Sequence, residues 1–331
     1  MKSNKKGDGI MQTISLPGVV FPVSQVCFGT AYLGSREDEK TSFALLDFYY
    51  EQGGRFLNTA HEYGDDGASE RTLGNWMRAR GVRHEMVLTS KCGEDCTRPG
   101  AVAMRREELM EDINETLDRL QYDPVEFYLL HLDDPSVPVE EIMTALYDMK
   151  YAGKIRYYGC SNWSVERMRE ADRFADANGI ERFLIDEIQM NLARNIVVNH
   201  DSHVKWLDEE YIAYHRDTGM AVGAYSPLAM GALTKLIHDG DTRDWSGAHK
   251  FYYGSSDNFE IARRIDALAK ATGYTPTQIQ IAYLCSQPYS FPVFPIVGGR
   301  TVEQLRESLI GASLTLERDM IDYLTMRRDA L

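Results

Sequence analysis

Eight short runs of β-branched, aromatic and other apolar residues recur along the chain, and this repeat constrains the fold more than any other feature of the sequence. The runs are VCFG near residue 27, FLNT near 57, MVLT near 88, FYLL near 128, IRYYG near 157, LIDEI near 186, MAVGAY near 223 and VFPIV near 295. The first seven are spaced by roughly 30 to 40 residues, the length of one strand, one helix and two connecting loops. The repeat predicts strands that alternate with helices.

Segments with a helical spacing of apolar residues lie between these runs, as in Phe43, Leu46 and Tyr50, and Gly53 follows where a left-handed residue can end a helix. Eight strands alternating with helices predict an α/β fold, the (β/α)8 TIM barrel. An open doubly wound sheet is the rival fold. It is disfavoured because no G-x-G-x-x-G motif follows the first strand.

The repeat occupies most of the chain, which predicts a single domain over residues 1–331. Within it we expect a flexible tail over 1–9, a hairpin over 10–24 that caps the bottom of the barrel, the barrel itself over 25–312, and an additional C-terminal helix over 313–331. A long loop is predicted over 231–256, and loops of this length often act as lids. Its aromatic and histidine side chains are Trp245, His249, Phe251, Tyr252 and Tyr253.

Composition and charge limit the classes of partner. The formal net charge is −14, so nucleic acid and anionic membranes are disfavoured as partners. No apolar stretch approaches the roughly 20 residues of a membrane-spanning helix, and no secretory signal follows the first residues. Five cysteines, an odd and sparse set, are typical of reduced thiols in the cytoplasm. The sequence has no heptad seam, so it does not indicate an oligomeric state.

Polar side chains cluster where the predicted strands end, and barrel enzymes place their chemistry at the carboxyl ends of the strands. These side chains are Asn58, Tyr63, Lys91, His131, Ser161, Asn162, Gln189 and Tyr225. A lone tyrosine or histidine is more often structural than catalytic. Here Tyr63, Lys91 and His131 follow three successive strands, and a buried lysine is costly unless its charge is paired or used. The pattern therefore favours an active site.

The chain resembles the aldo-keto reductase family over nearly its whole length. The matching segments are FLNTAHEYGDDGASERTLG, VLTSK, YLLHLDDP, GKIRYYGCSNWS, IQMNLARN, AYSPLAMGALT and FPIVGGRTVEQLRESL, and their order and spacing are specific. The resemblance implies hydride transfer between a nicotinamide dinucleotide and an aldehyde, ketone or sugar carbonyl. It implies Tyr63 as general acid, Lys91 as the group that lowers the pKa of Tyr63, and His131 as the group that orients the carbonyl.

The resemblance also implies a dinucleotide site. Ser161, Asn162 and Gln189 are expected to bind the carboxamide, and Tyr225 is expected to stack on the nicotinamide ring. Glycines and the start of a helix after the eighth strand suit an anion, and Arg300 suits the 2′-phosphate of NADP. NADP(H) is therefore favoured, with NAD(H) as the alternative. The remaining expected contacts are Ser226, Leu228, Gly231, Gly298, Gly299, Gln304, Glu307 and Ser308.

The chain departs from the family motif at Asn58, where the family has an aspartate that pairs with the lysine. An amide still accepts a hydrogen bond from Lys91, but the negative charge is lost. This predicts altered catalysis, or a catalytically weakened dinucleotide-binding protein with a sensing or scaffolding role. Asn58→Asp is then expected to raise kcat, because a restored carboxylate keeps Lys91 charged.

Other signals are weaker. A metal-dependent barrel hydrolase using His61, His131 and Asp133 is the rival enzyme class, but the set lacks a bridging carboxylate on another strand. His200, Asp201 and His203 lie too close together on one turn for a closed metal site, so no metal is expected. Tyr32, His61 and Trp163 are predicted to line the mouth of a substrate pocket.

Overall fold

A computed structural model describes residues 11–64, 67–94, 101–197, 203–242, 245 and 247–330, with the side chains of 248 and 249 omitted. Two strands form an antiparallel hairpin, and eight parallel strands close into a barrel in chain order. The predicted tail over 1–9 lies outside the described residues. The strands are β1 (Thr13–Ile14), β2 (Val23–Ser24), β3 (Cys27–Gly29), β4 (Phe56–Asn58), β5 (Val87–Cys92), β6 (Val125–Leu130), β7 (Ile155–Ser161), β8 (Ile185–Gln189), β9 (Ala221–Tyr225) and β10 (Val293–Val297).

A helix follows each barrel strand, so the predicted (β/α)8 repeat is confirmed. No described helix is long and apolar enough to cross a membrane. The helices are α1 (Glu39–Glu51), α2 (Ala68–Arg80), α3 (Arg106–Leu120), α4 (Val139–Tyr151), α5 (Val165–Asn178), α6 (Glu209–Thr218), α7 (Ala232–Asp239), α8 (Gly247–Tyr253), α9 (Asp257–Thr272), α10 (Pro276–Cys285), α11 (Val302–Ala312) and α12 (Arg318–Leu324).

The barrel interior has an apolar lower layer and a polar upper layer. In the lower layer, the ring of Phe56 lies 5.8 Å from that of Phe127 and 5.1 Å from that of Phe294, measured between centroids. Side chains two residues apart on a strand share a face, so Asn58 points into the barrel above Phe56. Because all eight strands are parallel, their carboxyl ends form a single rim, and the polar side chains meet there.

The hairpin of β1 and β2 packs against the lower layer. Leu16 and Val23 are buried in the same cluster as Phe56 and Phe127. Phe21 lies edge-on to Phe127, with ring centroids 6.2 Å apart. The hairpin thus covers the amino-terminal ends of the strands, opposite the rim.

The long connection between β9 and β10 differs from the prediction. The segment 231–256 was expected to be an aromatic loop, but it contains the helices α7 and α8. Two of its aromatic rings are buried: Trp245 and Tyr253 pack in a cluster with Leu236. The side chain of His249 lies outside the described residues. The terminal helix α12 is also shorter than the predicted 313–331.

The described cysteines are free thiols. Cys27, Cys92 and Cys160 are fully buried in the barrel wall, and Cys285 is half-buried on α10. Cys96, the conceivable partner of Cys92, lies outside the described residues. Burial raises the pKa of the Cys92 thiol well above its usual range, so this sulfur is unreactive at neutral pH.

Candidate active site

The structure brings Tyr63, Lys91 and His131 together at the rim. Lys91 is the fifth residue of β5 and points into the barrel, while Tyr63 lies in a turn after β4 in which its N–H donates to the Ala60 carbonyl oxygen. Lys91 Nζ lies 3.3 Å from the Tyr63 hydroxyl. The rings of Tyr63 and His131 are 5.7 Å apart and meet edge to face. A proton donor, a cation and an imidazole therefore lie next to one another at the barrel rim.

Lys91 is 1% exposed and surrounded by oxygen atoms. Its Nζ donates to Asn58 Oδ1 at 2.8 Å and to the Thr59 carbonyl oxygen at 3.0 Å. The carboxylate of Glu187 on β8 completes the set, with Oε2 at 3.3 Å. The expectation that Lys91 lacks a negative partner because of Asn58 is therefore wrong. A carboxylate is present, but it comes from a different strand.

Asn58 links the two charged groups. Its Oδ1 accepts from Lys91, and its Nδ2 donates to Glu187 Oε1. An amide can make both contacts because it carries a donor and an acceptor, whereas an ionised aspartate could only accept. The residue at position 58 is thus matched to the carboxylate at position 187.

Burial and charge act on the Tyr63 hydroxyl in opposite directions. Burial raises the pKa of Tyr63 to about 12, and Glu62 and Glu187 add to the rise, although the ammonium of Lys91 lowers the pKa. Burial alone would lower the pKa of Lys91, but Glu187, Tyr63 and Glu62 together raise it above its usual range. Lys91 has the expected effect on Tyr63, and burial outweighs it. At neutral pH the phenol keeps its proton and the lysine keeps its charge.

Two carboxylates that the sequence analysis missed flank His131. Its Nδ1 lies 2.5 Å from Glu62 Oε1 and 3.6 Å from Glu94 Oε2. Burial raises the pKa of Glu62, but His131 and Lys91 outweigh burial and lower it, so Glu62 is ionised. The contact holds the imidazole ring at the edge of the site, because an ionised Glu62 attracts one ring nitrogen.

The residues expected to bind the carboxamide lie beside this cluster and contact one another. Ser161 Oγ donates to the Glu187 carbonyl oxygen at 2.8 Å. The Asn162 amide donates to the His131 carbonyl oxygen at 3.2 Å and accepts from the Tyr225 hydroxyl at 2.6 Å. Tyr225 is half-buried at the end of β9. These hydrogen bonds, with that from the Asn162 amide to Ser161 Oγ at 2.9 Å, join the residues in one network.

Gln189 shares this side of the rim but makes contacts of its own. Its Nε2 donates to the Tyr253 hydroxyl at 2.6 Å, and its Oε1 accepts from Asn195 at 3.2 Å. It is 4% exposed. Each contact uses one donor and one acceptor site of the amide, so a second N–H and a second lone pair remain for the expected carboxamide.

A strained turn follows β9. Ser226, Ala229 and Met230 have positive φ angles of 50°, 49° and 52°, and Gly231 has φ 83°. Left-handed backbone in residues other than glycine is costly, persists where the surroundings enforce it, and clusters at ligand sites. Ser226 and Gly231 were both predicted contacts, as was Leu228, whose carbonyl oxygen accepts from the Gly231 N–H at 2.8 Å.

The junction of β10 and α11 fits an anion. Gly298 is exposed and carries no side chain, so a ligand can approach the backbone directly. Helix α11 begins after Thr301, whose hydroxyl accepts from the Gln304 N–H at 3.3 Å. The Arg300 side chain is 69% exposed, near Glu37. The side-chain-free approach, the helix start and the extended guanidinium together suit a phosphate group.

Two predicted contacts on α11 are placed elsewhere. Both carboxylate oxygens of Glu307 are used by the start of α10, where Thr275 Oγ1 donates at 2.5 Å and Gln278 Nε2 at 3.3 Å. Ser308 is 1% exposed and donates to the Gln304 carbonyl oxygen. Glu307 thus faces a neighbouring helix and Ser308 is buried, and their contact with a cofactor stays a prediction.

A protein-family model and several known proteins match most of the chain. The family model described as the aldo/keto reductase family matches residues 25–327. The chain belongs to the aldo/keto reductase family.

Three relatives illustrate the similarity. The chain is 28% identical to norsolorinic acid reductase B of Aspergillus parasiticus, and the match covers 91% of this chain and 80% of the relative. It is 29% identical to the oxidoreductase YrpG of Bacillus subtilis, covering 91% of each. It is 25% identical to aryl-alcohol dehydrogenase [NADP(+)] of Phanerodontia chrysosporium, covering 93% and 83%. The protein is accordingly an oxidoreductase that acts on small carbonyl compounds.

The three residues predicted to line a substrate pocket are separated in this aldo/keto reductase. Trp163 is fully buried, donates from Nε1 to the Leu132 carbonyl oxygen at 2.9 Å, and packs edge-on against Phe183. His61 is 5% exposed and contacts Glu115 at 2.9 Å. Both rings are interior, contrary to the prediction. Tyr32 is 48% exposed and remains a predicted substrate contact.

The geometry does not support the metal-dependent hydrolase. Asp133 pairs with Arg167 at 3.2 Å, and His61 faces α3, so these side chains do not converge on His131. In the part of the chain that the structure describes, one group of three potential ligands lies within 4.8 Å: Glu62, Glu94 and His131. Its atoms belong to the site described above. His200 and Asp201 lie outside the described residues.

Glu187 is the main residue that the sequence analysis overlooked in this aldo/keto reductase. The signal was available, because alternation along the strand IDEIQ puts Glu187 on the same inward face as Gln189. A carboxylate inside a barrel requires a cation within reach. Lys91 was the inward-facing cation already singled out, but alternation gives only the face of Glu187 and does not show that the two side chains meet.

Proposed function

We propose that the protein reduces a small aldehyde or ketone with NADPH, and that Tyr63 gives its hydroxyl proton to the carbonyl oxygen. The observation that carries this proposal is the 3.3 Å contact between Lys91 Nζ and the Tyr63 hydroxyl at the barrel rim. The adjacent ammonium stabilises the phenolate that remains after proton transfer. His131, which Glu62 contacts at 2.5 Å, would donate a hydrogen bond to the same carbonyl oxygen.

The cofactor is proposed to lie across the rim from Tyr225 to Arg300. Bound NADPH supplies the hydride. Tyr225, Ser161 and Asn162 would hold its nicotinamide end. The strained turn from Ser226 to Gly231 and the junction at Gly298 would hold its phosphates. NADP(H) is proposed over NAD(H) because Arg300 extends a bidentate cation from this junction, and because one relative is named for NADP(+).

An aromatic carbonyl is the proposed substrate class, with a sugar carbonyl as the alternative. Two relatives are named for an aryl alcohol and for norsolorinic acid. Tyr32 at the rim is 48% exposed, and Phe251 on α8 is 57% exposed. Exposed aromatic rings of this kind can stack on a flat substrate. Rates with an aryl aldehyde and with an aldose at equal concentration discriminate between the two classes.

A catalytically weakened sensing or scaffolding role was the alternative function, and it rested on the loss of a carboxylate at position 58. Glu187 supplies that charge at 3.3 Å from Lys91. The premise for the weakened role is therefore absent, and we retain the enzyme as the proposal.

Tyr63→Phe tests the proposed function. Removing the hydroxyl deletes the transferable proton and keeps the ring, so kcat for an aryl aldehyde should fall by at least about 100-fold. NADPH affinity, measured by fluorescence titration, should stay within a few-fold. Tyr151→Phe is the matched control, because Tyr151 is 85% exposed on α4 and away from the rim. Turnover of Tyr63→Phe equal to that of the control would assign the proton to another donor.

A further inference from the structure

Glu187 is a buried carboxylate for which the family motif has no assigned role. We propose that Glu187 is the counter-ion that keeps Lys91 charged and oriented, and hence a positioning residue for proton transfer from Tyr63. The inference rests on the proposed reductase function for its kinetic consequences. The pairing itself is a property of the resting protein.

The contact geometry carries the proposal. Glu187 is 2% exposed, and its two oxygen atoms are used separately, Oε2 by Lys91 Nζ at 3.3 Å and Oε1 by Asn58 Nδ2. A carboxylate and an ammonium that are both removed from water each carry a large desolvation cost, which only close pairing offsets. Each group therefore depends on the other to remain ionised inside the barrel.

The barrel is shaped to admit this side chain. Strand β8 lies opposite β4 in the closed order, so Glu187 reaches Asn58 across the interior. Its neighbour on β9 in the parallel register is Gly223. A Cβ at Gly223 would lie 2.9 Å from Glu187 Cγ and 3.1 Å from the Phe294 ring, closer than side-chain atoms normally approach. A larger residue at 223 would force the glutamate from its place.

The other groups facing Lys91 do not replace Glu187. They are Tyr63 and Glu62 from the turn after β4, and Cys27 on β3. Burial raises the pKa of Cys27 well above its usual range, so the thiol is neutral. Glu62 lies against the other side of the site, with Oε1 2.5 Å from His131 Nδ1. Among the residues that the structure describes, Glu187 is thus the carboxylate that contacts Lys91 Nζ.

The first variant is Glu187→Gln, which keeps the shape and removes the charge. We expect kcat to fall on the order of 10- to 100-fold with KM and NADPH affinity within a few-fold. The alkaline limb of the kcat profile should move to lower pH, because Lys91 without its carboxylate loses its proton more readily. Glu126→Gln is the matched control. It removes another buried strand carboxylate, which pairs with Arg83 at 3.0 Å outside the site, and should change neither quantity.

The second variant is the exchange Asn58→Asp with Glu187→Gln, which moves the carboxylate from β8 to β4 and keeps one amide and one acid. It should recover most of the lost kcat and return the alkaline limb towards its original pH. A purely structural role for Glu187 predicts no such recovery. An unmoved alkaline limb in Glu187→Gln, or an exchange variant that folds and stays as slow as the single variant, would overturn the proposal.

A measurement on the resting protein separates this inference from the proposed function. The Lys91 side-chain nitrogen of the full chain can be titrated by NMR, with Lys91→Arg used to assign its signal. We expect Lys91 to deprotonate at lower pH in Glu187→Gln than in the unaltered protein. If the unaltered protein reduces no carbonyl, the proposed function fails, but this titration still decides whether Glu187 sets the charge of Lys91. Equal titration in both proteins would refute the pairing.

Discussion

The role of the side chain at position 58 depends on the residues around it. In the family motif this position supplies the negative charge beside the lysine. Here it supplies a donor and an acceptor, with Oδ1 on Lys91 and Nδ2 on Glu187. The total charge of the Lys91 environment is preserved, because the carboxylate stands on β8 rather than β4. The amide at position 58 and the carboxylate at position 187 therefore act together on Lys91.

Asn58→Asp is predicted to lower kcat by a few-fold or more, the reverse of the sequence-based expectation. A second carboxylate would face Glu187 where the amide now donates, and two carboxylates in contact cannot both ionise without penalty. We expect the free energy of unfolding to fall by about 1–3 kcal/mol at neutral pH. Steady-state kinetics and urea denaturation measure the two effects, with the exchange variant Asn58→Asp with Glu187→Gln as control. A higher kcat in Asn58→Asp would show that Glu187 fails to supply the charge.

Strand ends made most of the site predictable at this scale, but not its counter-ion. Tyr63, Lys91 and His131 were identified because each follows a strand in a fold that gathers strand ends at one rim. Glu187 lies 129 residues from Asn58, and no local pattern pairs two residues so far apart. Glu62 and Glu94 were missed for the same reason, since only the closed barrel brings them to His131.

At the scale of single elements, the helix start after β10 was predicted correctly, but the sequence pattern did not show which of its side chains face solvent. Thr301 caps α11 and leaves Gly298 and Arg300 accessible. About two turns further along, Glu307 faces α10 and its neighbour Ser308 is buried. Each helical residue turns by about 100°, so the face that reaches a ligand depends on the packing of neighbouring helices.

The segment 231–256 was misread because its helices are short. Leu233, Leu236 and Ile237 give α7 an apolar stripe, but α7 has 8 residues and α8 has 7. Periodicity is informative only over roughly 11 residues or more. Burial of Trp245 and Tyr253 then anchors the segment against the rest of the protein.

Arg300→Ala is predicted to weaken NADPH binding on the order of 10- to 100-fold and NADH binding by less than about 3-fold, because only NADPH carries the 2′-phosphate. Fluorescence titration with each cofactor measures this. Arg306→Ala is the matched control: Arg306 also lies on this part of the chain, but its guanidinium stacks 4.5 Å from the centroid of Phe48. Equal losses for the two cofactors in Arg300→Ala would remove Arg300 from the 2′-phosphate site.

At the scale of the whole molecule, the closed barrel was predictable because its strand order simply follows the chain. The polar network that joins the barrel to its outer helices was not predictable from the sequence. His61 contacts Glu115 at 2.9 Å and Asp112 at 3.7 Å on α3, and Arg119 donates to the His61 carbonyl oxygen at 2.9 Å. His61, which the sequence suggested for substrate binding, is engaged in this network. Contacts between distant parts of the chain therefore determine which polar side chains can contact a substrate.

Asp112 makes this network sensitive to pH. Burial raises the pKa of Asp112 to about 6, although His61 and the Gly93 N–H lower it, and Glu115 and Glu62 add to the rise. Between about pH 4 and about pH 6, the Asp112 carboxyl therefore keeps its proton in the folded protein but loses it in the unfolded chain. The contribution of Asp112 to stability is fully present below about pH 4 and is lost as the pH rises through about 6.

Asp112→Asn is predicted to remove this dependence. Relative to the unaltered protein, the free energy of unfolding of the variant should increase by on the order of 3 kcal/mol as the pH rises from about 4 to about 7. The neutral amide can still accept the Gly93 N–H, which the carboxylate accepts at 3.0 Å. Urea denaturation at several pH values measures the difference, and Asp118→Asn, an exposed acid on the same helix, should give a constant difference. If Asp112→Asn and Asp118→Asn follow the same pH course, the pKa of Asp112 is not raised in the folded protein.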